Sequence, residues 1–173
     1  MATFQTKTTY LEMFAPSAAE TTPPRADVTV RRLTAPNNED YRRLYRGVGS
    51  QLNWVDRLVM EDAELQAILH HPLVEVHVLE VAEKPAGYAE LDRRTVDQIE
   101  LAYFGLFPEF VGQGLGKFFL NWTIRQAWSY QPKRVWVHTC DLDHPAALPN
   151  YVKAGFRVYA ERMIEQFVPD LPG

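Results

Sequence analysis

The sequence predicts an α/β domain built on one mixed sheet with helices on both faces. Three observations lead there. Period-two and helical apolar patterns follow one another in the order strand, two helices, three strands, helix, strand, helix, strand. The three consecutive strands are joined by turn-sized breaks, whereas the later strands alternate with helices, and that combination gives a mixed sheet. The chain has 173 residues and 19.9 kDa, which suits one domain with a core needing no disulfide or metal.

Residues 1–27 read as an N-terminal arm or linker, partly flexible, ahead of a single domain over 28–170. The stretch from Ala15 to Pro24 is small, polar and Pro-rich, without periodicity. Thr8 to Phe14 reads either as a short strand or as a loose end. Val28–Leu33 alternates and predicts a strand. Asn37 or Asn38 offers an N-cap for a helix over 40–48 with Tyr41, Leu44, Tyr45 and Val48 on one face. A loop holding Asn53, Trp54 and Asp56 follows, then a helix over 61–69 that stops before Pro72. Strands are expected over 74–81 and 86–91 with a turn at Lys84-Pro85, and over 97–107. Residues 112–130 form a long helix, apolar nearly all round and so buried on more than one side, broken by Pro132. A strand over 134–140, a helix over 145–154 with proline near its first turn, and a last strand or pair over 157–167 complete the order.

Composition excludes several function classes. The net charge of −4 argues against a general nucleic-acid binder. No run approaches the ~18 apolar residues of a membrane span. The N-terminus lacks the basic and apolar regions of a secretory signal. Cys140 is the single cysteine, which excludes an intramolecular disulfide and a multi-cysteine zinc site. The five histidines show no HExxH spacing, so no metal is expected. A cytoplasmic protein is the expectation.

The segment that carries chemistry is Phe107-Pro108-Glu109-Phe110-Val111-Gly112-Gln113-Gly114-Leu115-Gly116-Lys117. An apolar strand runs through three alternate glycines into a long helix. Glycines let successive amides turn outward and leave room for a ligand, and the helix start adds positive character. A diphosphate is the natural occupant. A Walker A loop fails, because Val111 and Phe118 stand where it needs Gly and Ser or Thr. A Rossmann fingerprint fails at Lys117 or at Phe119. The alternative is a strand-helix corner whose glycines serve packing only.

This segment resembles the acetyl-CoA-binding motif of the GNAT superfamily of N-acetyltransferases, with Gly114 and Gly116 on its two glycine positions. A second stretch, His144 to Phe156, resembles the C-terminal motif of that family, with Ala147, Tyr151, Gly155 and Phe156 matching in spacing. The likeness covers about residues 28–168. It implies a mostly antiparallel sheet splayed in the middle, the GNAT-like acyl-CoA N-acyltransferase fold, with acetyl-CoA as co-substrate. Leu106, Phe107, Val111, Gly112, Gln113, Gly114, Leu115, Gly116, Lys117, His144 and Ala147 are its cofactor-binding positions. Two departures stand out. Val111 sits where the family usually has Arg or Gln, and His144 replaces the usual Asn. Main-chain amides hold the diphosphate in this fold, so the resemblance implies binding with one polar contact fewer.

The resemblance places Tyr151 beside the cofactor sulfur as general acid, a phenol of pKa ~10 that is protonated at neutral pH. The other reading is a tyrosine that packs the last helix on the sheet. Glu100 interrupts an apolar strand and is the candidate base, directly or through water. Burial would raise its pKa toward the useful range. The other reading is a carboxylate at the solvent face or paired to Arg93. A backbone N–H near Leu106 is the expected oxyanion donor. Trp54, Tyr103 and His138 are candidates for the acceptor side. Trp54 reads as a lid, a stacking platform or a core anchor. His138, Asp141 and His144 cluster around a strand end, while His70-His71 at a helix C-terminus needs no function.

The expected reaction is acetyl transfer from the CoA thioester to a primary amine, on a small molecule or an exposed protein amine, by direct attack in a ternary complex. The rival is a non-catalytic acyl-CoA-binding or regulatory module on the same fold. A third reading is an interaction protein with a purely structural glycine corner. Homodimers are common in the family, and no segment here specifies one.

Overall fold

The computed structural model describes residues 2–17 and 19–168. The expected domain end at residue 170 lies outside them. Among the described residues seven strands form one sheet in the order β2-β3-β4-β5-β6-β1-β7. They are β1 (Thr3–Met13), β2 (Val28–Leu33), β3 (Val74–Val81), β4 (Lys84–Asp92), β5 (Gln98–Leu106), β6 (Arg134–Cys140) and β7 (Arg157–Phe167). Among the described strands only β5 and β6 pair in parallel, and the other neighbours are antiparallel. The helices are α1 (Asn38–Gly49), α2 (Asp56–Val59), α3 (Asp62–Leu69), α4 (Leu115–Trp128) and α5 (Ala147–Lys153).

Alternation along the strands sorts the core into two layers. Val76, Val78 and Tyr88 pack under Tyr41, Leu44 and Tyr45 of α1 and Leu65 and Leu69 of α3. On the opposite face Leu79, Leu91, Leu101 and Val137 pack under Leu115, Phe119 and Ile124 of α4 and Tyr151 of α5. Asn37 caps α1, its Oδ1 accepting from the Asp40 N–H at 2.8 Å. Pro149 falls on the third residue of α5, where an amide has no intrahelical acceptor to lose.

Three sequence expectations need correction. Within the expected N-terminal arm, Thr3–Met13 is an 11-residue strand set between β6 and β7, which settles its reading in favour of a strand. Thr6, Thr8, Thr9, Leu11 and Met13 are buried there. The long helix starts at Leu115 and not at Gly112, because Gly112 and Gly114 take φ of +87° and +78°, outside the helical region. The hairpin between β3 and β4 turns at Ala82 and Glu83, both at positive φ, and leaves Lys84 and Pro85 in β4. A two-residue turn of that hand matches the twist of the strands it joins, and this outweighs the local preference for proline in the turn.

Candidate functional site

Strands β5 and β6 pair only from Gln98 to Leu101 against Arg134 to Val137. Beyond that point they part. At the same place the β4–β5 ladder slips, Glu90 facing Tyr103 and Leu91 facing Leu101, so Ala102 is an extra residue in a bulge. The Phe107 N–H donates to the Ala86 carbonyl at 2.8 Å. The main-chain groups of Gly105 and Tyr103 therefore face β4 as well, and those of Leu106 and Phe104 face the gap that β6 has left.

That gap opens into a cleft of about 1010 Å³. Its floor is Leu101 to Leu106. One wall is the α1–α2 loop with Trp54 and the start of α2 with Asp56 and Arg57. The other carries His138, Asp143, His144, Ala147, Asn150 and Tyr151. Val111, Gly112, Gly114, Gly116 and Lys117 close one end.

The glycine end has the form of an anion cradle. Gly114 precedes α4, and the N–H groups of Leu115, Gly116 and Lys117 precede the first intrahelical bond, which Phe118 makes to the Gly114 carbonyl at 3.5 Å. A Cβ built on Gly112 or Gly114 meets no atom within 4 Å, and one on Gly116 makes an ordinary 3.6 Å contact with Leu106 Cδ1. Space within the protein therefore demands none of these glycines, although the left-handed φ of Gly112 and Gly114 itself favours glycine at those two positions. Lys117 adds a cation at the same end. The amides, the space and the charge fit a diphosphate.

Tyr151 lies on the wall of the cleft, buried to 6 % exposure. Its ring packs edge-on to Phe104 and Phe156, with centroids at 6.4 and 5.9 Å. Among the described residues no group pairs with its hydroxyl. Burial first, and the Asp143 carboxylate second, push its pKa up, so it holds its proton well past neutral pH.

Glu100 also lines the cleft, half-buried, between the buried and the solvent-face readings of the sequence. Its side chain keeps 22 % exposure and stands 3.6 Å from His138 Nδ1, while Arg93 pairs with Glu75 instead. Trp54 stands on the wall of the cleft. It packs on Tyr45 and Tyr103, with centroids at 5.4 and 5.3 Å, and its Nε1 donates to Asp143 Oδ1 at 3.0 Å, bridging the two walls. Asp143 is fixed in turn by the Thr139 hydroxyl at 2.6 Å and the Cys140 N–H at 3.0 Å. Tyr103 is pushed up to about 12 by burial, against the opposing pull of Arg57.

Not every expected residue faces the cleft. The Phe107 ring packs against α1, where a Cβ on Gly47 would come within 2.5 Å of it. Gln113 accepts from Arg25 Nη1 at 3.1 Å and donates to the Glu109 carbonyl. Leu115 is fully buried in the α4 core. Asp141 lies outside the cleft, so His138, Asp141 and His144 do not converge on it. Among the described residues no group of three His, Cys, Asp or Glu is placed to hold a metal ion.

Two features escape a sequence reading. Asp143 ties Trp54 across the cleft from 89 positions away. Arg57 and Glu90 form an ion pair at 2.7 Å, with side chains 8 % and 1 % exposed. In the sequence Arg57 is one of two adjacent charges after Val55 and Glu90 a single charge between Ala89 and Leu91, and neither points to the other. No helix among the described residues is long and apolar enough to cross a membrane.

The acetyltransferase (GNAT) family model matches residues 38–156. The fold is similar to a GCN5-related N-acetyltransferase from Sphaerobacter thermophilus, at TM-score 0.68 and 13% identity over 92% of this chain and 50% of that one. It is similar to a GNAT-family protein from Novosphingobium aromaticivorans, at TM-score 0.63 and 12% identity over 94% and 63%. An aminoglycoside acetyltransferase from an uncultured soil metagenomic sample, solved with trehalose, gives TM-score 0.61 and 17% identity over 84% and 97%. The chain thus spans half to under two-thirds of the length of the first two. No curated protein sequence matches it.

Proposed function

The chain belongs to the GNAT acetyltransferase family, and from that premise we propose that it is an acetyl-CoA-dependent N-acetyltransferase acting on a primary amine. The observation that carries this reading is the glycine corner: the first amides of α4 open, with no described side chain filling the space around Gly112 and Gly114, onto the end of a cleft whose wall holds Tyr151.

Acetyl-CoA supplies an acetyl thioester. The amides of residues 112–117 and the Lys117 ammonium hold its diphosphate. The free main-chain groups of Phe104 and Leu106 pair with the extended arm as an added strand would, and Ala147 and His144 flank that arm. The Leu106 N–H donates to the carbonyl oxygen as negative charge builds there. Glu100 accepts the amine proton, directly or through water, with His138 beside it. Tyr151 Oη gives its proton to the departing sulfur. Its raised pKa keeps that proton in place until it is needed. Direct attack within a ternary complex suits one cleft that holds both limbs. A cytoplasmic setting supplies the coenzyme and keeps Cys140 reduced.

Calorimetry with acetyl-CoA, then thiol release with a panel of small amines, aminoglycosides and exposed protein amines, tests the reading. Binding followed by thiol release with at least one amine is expected. Binding with no release from any amine supports the non-catalytic module, and absence of binding overturns both.

A further inference from the structure

The limb of the cleft away from the glycines holds an arginine that the reaction above does not use. Arg57 lines this limb at 7 % exposure. Its Nη2 donates to Glu90 Oε2 at 2.7 Å. Glu90 is locked from behind by the Tyr41 hydroxyl at 2.5 Å, and Tyr41 meets Tyr88 at 3.2 Å. The remaining donors are poorly used. Among the described residues Nη1 meets only the Met60 sulfur at 3.7 Å, and Nε has no partner. The guanidinium sits 5.1 Å from the centroid of Tyr103, another residue of this limb.

A buried guanidinium with spare N–H groups is costly, because each unpaired donor forfeits hydration. An apolar pair of similar volume would serve packing as well or better. What an arginine offers is a planar fork for a carboxylate. Arg94 shares the limb. Its Nε and Nη2 hold Asp92, at 3.0 and 2.8 Å, and its third nitrogen pairs with no described residue. Two carboxylates complete the set: Glu100 beside His138, and exposed Asp56, which pairs with no described residue. The limb therefore presents two guanidiniums with unused N–H groups and two carboxylates that no arginine holds, Asp56 next to Arg57 in α2 and Glu100 opposite Asp92 in the β4–β5 ladder. That arrangement is complementary to a molecule bearing both an amine and a carboxylate.

We propose that the acceptor is an amino-acid-type molecule whose carboxylate is bound by Arg57, which Glu90 holds in place, while its amine lies toward Glu100. This rests on the acetyltransferase reading and narrows it. A purely cationic acceptor, such as a polyamine or an aminoglycoside, would leave the unused guanidinium N–H groups unpaired.

The test uses acids and their amides as matched pairs. Glycine, glutamate, lysine and 4-aminobutyrate are assayed for thiol release beside their carboxamides. The corresponding N-acetyl acids and N-acetyl amides are titrated by calorimetry into the CoA-loaded protein. At least one acid should exceed its amide about tenfold or more in both kcat/KM and affinity, as befits a charged hydrogen bond. Arg57→Met alone strands a buried carboxylate, so the informative variants are R57M/E90Q, which removes both charges, and Arg57→Lys, which keeps charge and loses the fork. Both should bring the acid-to-amide ratio close to one, through KM, while calorimetry still detects CoA. Acids no better than amides, polyamines or aminoglycosides preferred over every acid, or an acid preference that survives R57M/E90Q would each overturn the proposal. Failure to bind CoA at all marks failure of the acetyltransferase reading instead.

Discussion

Substituting Gly116 with aspartate should make the protein more stable and yet unable to bind acetyl-CoA. Gly116 is the second residue of α4, and a Cβ there makes only a 3.6 Å contact with Leu106 Cδ1. Replacing glycine in a helix gains about 0.3 kcal/mol for aspartate. A carboxylate in the first turn, opposite the helix dipole, adds roughly 0.3–1 kcal/mol. The sum is about 1 kcal/mol, or about 2–4 °C in Tm for a chain of this size. For the ligand the sign reverses. A carboxylate about 5 Å from a phosphate repels it by about 3 kcal/mol at an effective dielectric of about 20, so Kd should rise at least about 100-fold. Differential scanning calorimetry and titration calorimetry on one sample read both quantities. Unchanged affinity in the folded variant would show that the amides of this corner do not hold the diphosphate. A fall in Tm would show that the space at Gly116 is needed by the protein itself.

Tyr151→Phe should lower kcat about 100-fold, in the range of general acid catalysis, with acetyl-CoA affinity retained. The hydroxyl pairs with no described residue and the ring contacts remain, so Tm should hold, and unchanged turnover would remove the role. Because burial raises the tyrosine pKa above its ordinary 10, the deficit should be the same at every assay pH from neutral to mildly alkaline. Glu100→Gln should lower kcat/KM about tenfold or more at constant acetyl-CoA affinity, whereas full activity would assign proton removal to water alone. Glu75 should set the acid limit of stability. Burial would raise its carboxyl, but hydrogen bonds from His77, Tyr130 and Gln126 outweigh burial and hold it at about 2, against 4.5 unperturbed. Its folded value lies below its unfolded one, so the stabilisation, about 3 kcal/mol at most, is complete above pH 4.5 and lost as pH falls toward 2. Urea unfolding of Glu75→Gln across that window should show a flatter pH slope than the parent, and equal slopes would refute the assignment.

The sequence carried local information well and distant pairing poorly. The glycine spacing of residues 112–116 is contiguous, and so the cradle was readable from it, although the positive φ angles that delay α4 by three residues were not. Asn37 and the spaced residues Tyr41, Leu44, Tyr45 and Val48 define α1 within a dozen positions, and that helix appeared as expected. By contrast β1 pairs with β6 and β7, whose residues lie more than a hundred positions away. Its threonine-rich stretch has no strand partner nearby in sequence, and the Pro-rich segment after it resembles a tether. Arg57 and Glu90 escaped for the same reason. Each looks like an ordinary charge until the fold brings α2 against β4. Glu100 was legible as a carboxylate in an apolar strand, with a buried site and a solvent face both left open, and the fold leaves it half-buried beside His138.

One inserted residue explains how a single strand serves both limbs of the cleft. In an uninterrupted ladder Glu100, Ala102, Phe104 and Leu106 would share a face, and Leu101, Tyr103 and Gly105 the other. The extra residue at Ala102 exchanges the faces beyond it, so that Glu100 and Tyr103 lie on the α1 side while Leu101, Phe104 and Leu106 lie on the α4 side. Tyr103 thereby joins Tyr45, Trp54 and Arg57 at the acceptor limb. Phe104 reaches Tyr151 and Phe119, and Leu106 comes under Gly116. Without the bulge, Phe104 and Leu106 would crowd α1, where Gly105 leaves room for Val48 at a spot that tolerates no Cβ. The bulge also lies where β6 loses its partner. The parting of the strands, the free amide of Leu106 and the separation of an acceptor limb from a cofactor limb therefore share one local cause in the backbone of β5.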